Sequence, residues 1–271
     1  MLAVPILLAL VQAAETADAI MARVAENQES AQAARLKYVY KQNIHLRLLR
    51  TNGKVSREER REYTVTPTQE GFKKDLTRFS GRYEKGGKYF EYSKPCFQYK
   101  DTDIDGDLIE DLANDLMNDK TSKDGISMDL FPLTKARQGE LQFRLEETKD
   151  IKGRRVHRIS FRPKDKDEFT WAGEATVDAA EYQPVQVSTR LARGIPWGVT
   201  VFLGTNLKQF GFALNYARLA EGVWFPVSYG TEFRIDVLWG YKRVITVSLE
   251  NSDFRRTNVT STLEYDSRNP P

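Results

Sequence analysis

The sequence predicts a mainly β (α+β) fold: a strongly curved, incomplete antiparallel β-barrel of about ten or eleven strands, its concave face covered by an N-terminal helix and an inserted lid helix. Three observations predict it. Apolar and polar residues alternate over most of the chain from Leu36 onward, the period of half-buried strands. Short turn signals such as Asn52-Gly53 and Gly86-Gly87 separate the alternating runs. Helical periodicity is confined to two places, before Leu36 and within residues 100–132. A sheet with one apolar face must close on itself or be covered, and these two helices are the covers at hand.

Taken in order, the first element is MLAVPILLALVQA, thirteen residues without a charge. Val11 and Ala13 occupy the small-residue positions before a cleavage site, so residues 1–13 read as the apolar core of a secretory signal peptide lacking its basic start. A buried N-terminal helix is the alternative. Residues 14–271 are expected to form one domain. Thr16 can cap a helix running to about Ala34, with Ala17, Ile20, Val24 and Ala31 on its apolar side and Glu26, Gln28 and Glu29 opposite. LKYVYKQNIHLRLLR then enters the TNGK hairpin, and VSREERREYTVTP returns from it. The mixed charges of SREERREY read as a solvated face.

After the Gly86-Gly87 turn, KPCFQYK reads as a strand end, and the insertion follows. Alternation resumes beyond it. LQFRLEE and RRVHRISFRP flank DIKG, with Leu141, Phe143, Leu145, Ile159 and Phe161 directed inward. FTWAGEATVD, PVQVSTRLAR with Val185, Val187 and Leu191 on one face, GVTVFLG, FGFALNYARL, VWFPVSYGTEFRIDVLW and KRVITVSLENSDF complete a meander with short connections.

The insertion holds DTDIDGDLIEDL, which supports two readings. Asp101, Asp103, Asp105 and Gly106 match the first half of a calcium-binding EF-hand loop, with Asp107 beside them. The coordinating glutamate at position 12 is replaced by Leu112, so no metal site is favoured and the calcium reading is the weaker one. The other reading is the acidic start of an amphipathic helix. Leu108, Ile109, Leu112, Ala113, Leu116 and Met117 form its stripe, and Asp105 or Asp107 caps its first turn.

Composition narrows the function. There are 41 basic and 38 acidic residues, a net charge of +3 that argues against a nucleic-acid partner. The single cysteine, Cys96, excludes an intrachain disulfide and is expected to be partly buried. His45 and His157 fall on separate strands with no cysteine pair to help them hold zinc. No nucleophile elbow, dinucleotide loop or metalloprotease helix occurs, so no catalytic residue and no cofactor is assigned. Trp171, Trp197, Trp224 and Trp239 supply broad apolar area, suited to a core or to a hydrophobic pocket.

Several of these segments together resemble a family. A helix ending in ARLKYVYKQN, the TNGK hairpin, a helical insertion, and then GRRVHRISFRPKDK, WAGEATVDAAEYQPVQV and EGVWFPVSYG are similar to the outer-membrane lipoprotein-sorting proteins, the periplasmic lipoprotein carrier and its outer-membrane receptor. The resemblance implies a divergent member spanning most of residues 15–260. It implies a Gram-negative, periplasmic, non-enzymatic carrier that binds lipid or lipoprotein acyl chains in a hydrophobic cavity, for delivery toward the outer membrane, with inner- or outer-membrane sorting proteins as partners. Leu108, Leu112, Leu116 and Met117 on the lid, with Trp171 and Trp224, would line that cavity. The family's carrier also ties strand to lid with an arginine, to which no arginine of this sequence is matched. Two other functions stay open: an envelope sensor or protein-interaction module on the same fold, and a calcium-regulated protein or envelope enzyme.

Overall fold

The computed structural model describes residues 15–68, 71–118, 134–165, 171–191, 205–208, 211–237 and 240–257. Residues 1–13, expected to be a leader, the segment GVTVFLG and the end of the insertion lie outside the described residues. Helix α1 (Ala17–Arg35) opens where Thr16, in extended conformation, accepts a hydrogen bond from the Ala19 amide. Its Ile20, Met21 and Val24 are fully buried. Gln28, expected on the polar face, is buried as well, where its amide donates to Gln183 Oε1 at 2.6 Å.

Strands β1 (Tyr38–Leu49), β2 (Val55–Thr68), β3 (Gly71–Lys85) and β4 (Lys88–Tyr92) follow as two successive hairpins. The Asn-Gly and Gly-Gly turns sit where the sequence places them, because Gly53, Gly86 and Gly87 take φ of 80°, 61° and 81°, open to glycine at no steric cost. Helix α2 (Ile104–Asn118) and a single turn, α3 (Lys135–Gln138), interrupt the sheet. Strands β5 (Leu141–Ile151), β6 (Arg154–Pro163), β7 (Trp171–Asp178), β8 (Pro184–Leu191), β9 (Thr205–Lys208), β10 (Phe212–Arg218), β11 (Trp224–Val237) and β12 (Tyr241–Arg256) complete it.

All twelve strands belong to one antiparallel sheet in the order β4-β3-β2-β1-β12-β11-β10-β8-β7-β6-β5, with β9 paired to β11 off that path. The path closes the chain's first strand onto its last: Ile44 pairs with Leu249 and Leu46 with Val247. β4 and β5 end the path without pairing to each other, so the barrel is incomplete. One apolar core lies on the inner face, where Ile44, Leu46, Ile159, Val187, Phe233 and Ile245 meet Ile20 and Val24 of α1 and Ile109 and Ala113 of α2. Alternation puts charged and hydroxylated residues on the outer face. There His45 Nε2 meets the Glu58 carboxylate at 2.6 Å, while His157, paired with the buried Val177, lies on the inner side of a separate hairpin, where Thr148 Oγ1 meets its Nδ1 at 2.9 Å. A satellite cluster of Tyr38, Tyr40, Val65 and Phe225 fills the end of β1 near α1.

Candidate functional site: helix α2 and its ionic seat

The site is built on the inner face of β2. Its odd-numbered residues point inward, and after Val55 these are Arg57, Glu59 and Arg61, which are 1%, 1% and 4% exposed. This corrects the solvated face expected for SREERREY. The charges are covered because the chain after β4 folds back over β2–β4 and α2 continues across them. Burying ions is expensive unless every one is paired and hydrogen-bonded, and here the partners come from the insertion.

Arg57 donates from Nη1 to Asp103 Oδ2 at 2.5 Å, from Nε to the Tyr92 hydroxyl at 2.8 Å, and from Nη2 to the Phe97 carbonyl. Its guanidinium also lies 4.8 Å from the Tyr92 ring centroid. Tyr92 donates in turn to Glu59 Oε1 at 2.6 Å. Burial and the Glu59 carboxylate push its phenol far above the ordinary value, so it stays a donor. Glu59 Oε2 accepts from Arg61 Nε and Nη2 at 2.8 and 2.6 Å, and Arg61 reaches on to Glu110 of α2 at 2.8 Å. A continuous chain of charge-assisted bonds therefore runs from the start of α2 through β2 to its second turn.

The aspartate stretch is spent on protein donors. Asp103 is the residue before α2 and accepts from the Gly106 amide at 3.2 Å, so it caps the helix in place of Asp105 or Asp107. Gly106 fits because an added Cβ would lie 2.8 Å from both Arg57 Nη1 and Asp103 Oδ2. Asp105 accepts a fork from Arg243 of β12, Nε at 2.9 Å and Nη2 at 3.1 Å, together with the hydroxyls of Ser56 and Tyr241. Burial alone would raise the Asp105 carboxyl, but these hydrogen bonds outweigh it and hold the group below the usual carboxylate range. Asp107 accepts from the Gln98 amide, and Asp101 is exposed. Among the described residues, no group of three or more acidic, histidine or cysteine side chains gathers as a metal site.

Glu110 follows the same logic as Asp105: burial opposes its charge, and hydrogen bonds from Arg61 and from the Cys96 amide at 3.1 Å overcome the penalty. Cys96 itself is exposed rather than partly buried, in a left-handed backbone conformation with φ of 56°. KPCFQYK forms no strand. Its aromatics stack on the inner face of β3 and β4 instead, with Phe97 4.6 Å from Tyr92 and Tyr99 4.9 Å from Tyr83.

Beside this polar seat lies the apolar side of α2. Ile109 and Ala113 are fully buried in the core. Leu108 and Leu112 are partly buried and pack against it. The side chains of Leu116 and Met117 lie outside the described residues. Trp171 packs edge-on to Phe212 at 5.0 Å. Trp224 is 3% exposed and donates from Nε1 to Glu181 at 2.9 Å, which places it within the core. Sequence reasoning missed Arg57, Arg61, Tyr92 and Arg243. A detectable signal was that three of the first four odd-numbered positions of β2, counted back from the buried Tyr63 and Val65, are charged.

No protein-family model matches the chain, and no curated protein matches it. Solved structures similar to this one include the following three. An outer membrane lipoprotein-sorting protein domain from Vibrio parahaemolyticus is 12% identical, with 90% of this chain and 95% of that one covered at a TM-score of 0.37. A LolA superfamily protein from Nitrosomonas europaea is 9% identical, with coverage of 91% and 96% and a TM-score of 0.32. The MucA/MucB complex of Pseudomonas aeruginosa includes a chain 12% identical, with coverage of 89% and 99% and a TM-score of 0.26. These superpositions are loose, and the open-sheet architecture stands on the strand pairing itself.

Proposed function

We propose that this protein is a non-enzymatic periplasmic carrier whose inner sheet face shields acyl chains of a lipid or lipoprotein once α2 has left it. In this reading residues 1–13 are an export leader, the remainder works as one unit, and sorting proteins at either membrane are its exchange partners. No described helix is long and apolar enough to cross a membrane.

The observation that carries the reading is the division of labour in α2. Among its described side chains Ile109 and Ala113 are buried in the core and Leu108 and Leu112 pack against it, while ion pairs from Arg57, Arg61 and Arg243 hold its N-terminal half in place. Burying one isoleucine is worth about 1.5–3 kcal/mol, and each acyl methylene about 0.8 kcal/mol. About two to four methylenes therefore offset the Ile109 contact alone, and a longer chain has the remainder to set against the other contacts of α2. The ionic latch then sets how readily α2 is displaced, because a ligand shifts the equilibrium only by its preference for the open state.

Mass spectrometry of lipids extracted from the purified protein, paired with titration of a fluorescent fatty acid, tests this. Co-purifying acyl lipid, or saturable uptake of the probe, is expected. A protein that is empty and also fails to bind the probe would rule out the carrier and leave the envelope interaction module.

A further inference from the structure

We infer that the end of the barrel carrying the β1–β2, β3–β4 and β11–β12 turns is a docking surface for a bilayer rich in anionic lipid. The register brings these turns side by side. Leu49 pairs with both Val55 and Val244, Arg57 pairs with Tyr83, Lys85 with Lys88, and Val237 with Tyr241. Each turn therefore opens on the same rim, and each carries an exposed lysine: Lys54, Lys85 and Lys88, and Lys242.

The acids of this rim are mostly neutralised within the protein. Glu84 is paired with Arg50 and Asp105 is held by Arg243, while Asp236 stands directly across from Lys242 on the neighbouring strand. Asp101 is exposed, with Lys100 exposed beside it. What remains outward is the excess of Lys54, Lys85 and Lys88 on two adjacent turns, although the whole chain is nearly balanced at +3.

Apolar exposure coincides with this charge. Tyr89 and Phe90 on the edge strand β4 are 48% and 44% exposed, and Ile104 at the start of α2 is 54% exposed. Asp105 fastens the start of α2 to Ser56 and Tyr241, which puts Ile104 at the same end as the turns. Large apolar and aromatic side chains next to lysines match the bilayer interface, where acyl carbon lies just below negative headgroups and lysine stems reach across the boundary. Convex turn tips offer no channel to track a nucleic-acid strand. The inference goes beyond the carrier reading and rests on different residues, but it would bring α2 to the membrane by its N-terminal end.

Co-sedimentation of the full chain with large vesicles tests it, using phosphatidylglycerol mixed with phosphatidylethanolamine in one arm and phosphatidylcholine in the other. Binding to the anionic vesicles that weakens with added salt is expected. Lys85→Glu with Lys88→Glu should weaken it at least about fivefold for each lysine changed. Tyr89→Ser with Phe90→Ser should remove the part that survives high salt. The first residues are common to all variants, so differences between them report on the rim, and unchanged circular dichroism confirms folding. Equal binding to both vesicle types, or wild-type binding by both double variants, would overturn the proposal. So would binding to dissolved heparin that matches vesicle binding and ignores Tyr89 and Phe90, since it would indicate a polyanionic partner. Fatty-acid probe uptake should be unaffected in every variant. Its absence from the wild type would count against the carrier alone.

Discussion

Arg57 is the residue on which most of the seat converges, since it joins Asp103, Tyr92 and the Phe97 carbonyl at once. Removing it would strand the Asp103 carboxylate at 1% exposure. Arg57→Ala should therefore destabilise the protein by about 3–5 kcal/mol, the cost of breaking a buried pair from one side. Urea unfolding measures it, and a loss under about 1 kcal/mol would mean water already reaches the pair. Arg57→Lys should recover little, because an ammonium cannot serve three acceptors in a planar fork. The aspartates carry a second expectation. With Asp103 and Asp105 engaged by guanidiniums, millimolar calcium should leave the melting temperature unchanged, whereas a real site would raise it by mass action. The acidic pattern of DTDIDGDLIEDL was legible in the sequence, but its partners were not, since Arg57 and Arg243 come from strands far away along the chain.

At the scale of the element, α2 is held by charge as well as by apolar contact, and its hold should depend on pH. Asp105 and Glu110 both titrate below their ordinary values of 3.8 and 4.5 when folded. The sign follows from that depression. Their contribution is fully present above the unfolded values and is lost as pH falls through the folded ones, so α2 should loosen below about pH 4. Hydrogen exchange of α2 amides, corrected for intrinsic rates, should show protection falling there relative to pH 7. Asp105→Asn should lower protection already at pH 7 and flatten the dependence; equal protection at both pH values in the wild type would contradict the latch. Ile109→Ala acts on the other half of the contact. It should lower stability by about 2–5 kcal/mol and, by weakening the plug, tighten binding of the fluorescent fatty acid. Weakened binding would show that Ile109 contacts the ligand instead of competing with it.

On the scale of the whole molecule, the sheet offers one apolar face, which α1 and α2 both cover. Ile20, Met21 and Val24 are all fully buried. Val24→Asp would place an unpaired carboxylate in that layer, and soluble yield should collapse through the exposed sheet face; recovery of a monomer with wild-type melting would show that the sheet needs no such cover. By itself, the sequence determined the class of fold, the α1 cap at Thr16, the hairpins at Asn52-Gly53 and Gly86-Gly87, and the amphipathic character of α2. Each of these is local, set by side-chain period, by backbone freedom at glycine or by a cap within one turn. Only the tertiary structure decided that β1 closes against β12, that Arg57, Glu59 and Arg61 lie under the insertion, and that three lysine-bearing turns share one rim. Those outcomes depend on strand register and on which segment folds over which face. The same alternating charges that look solvated in one strand become a buried latch when another part of the chain supplies their counter-ions.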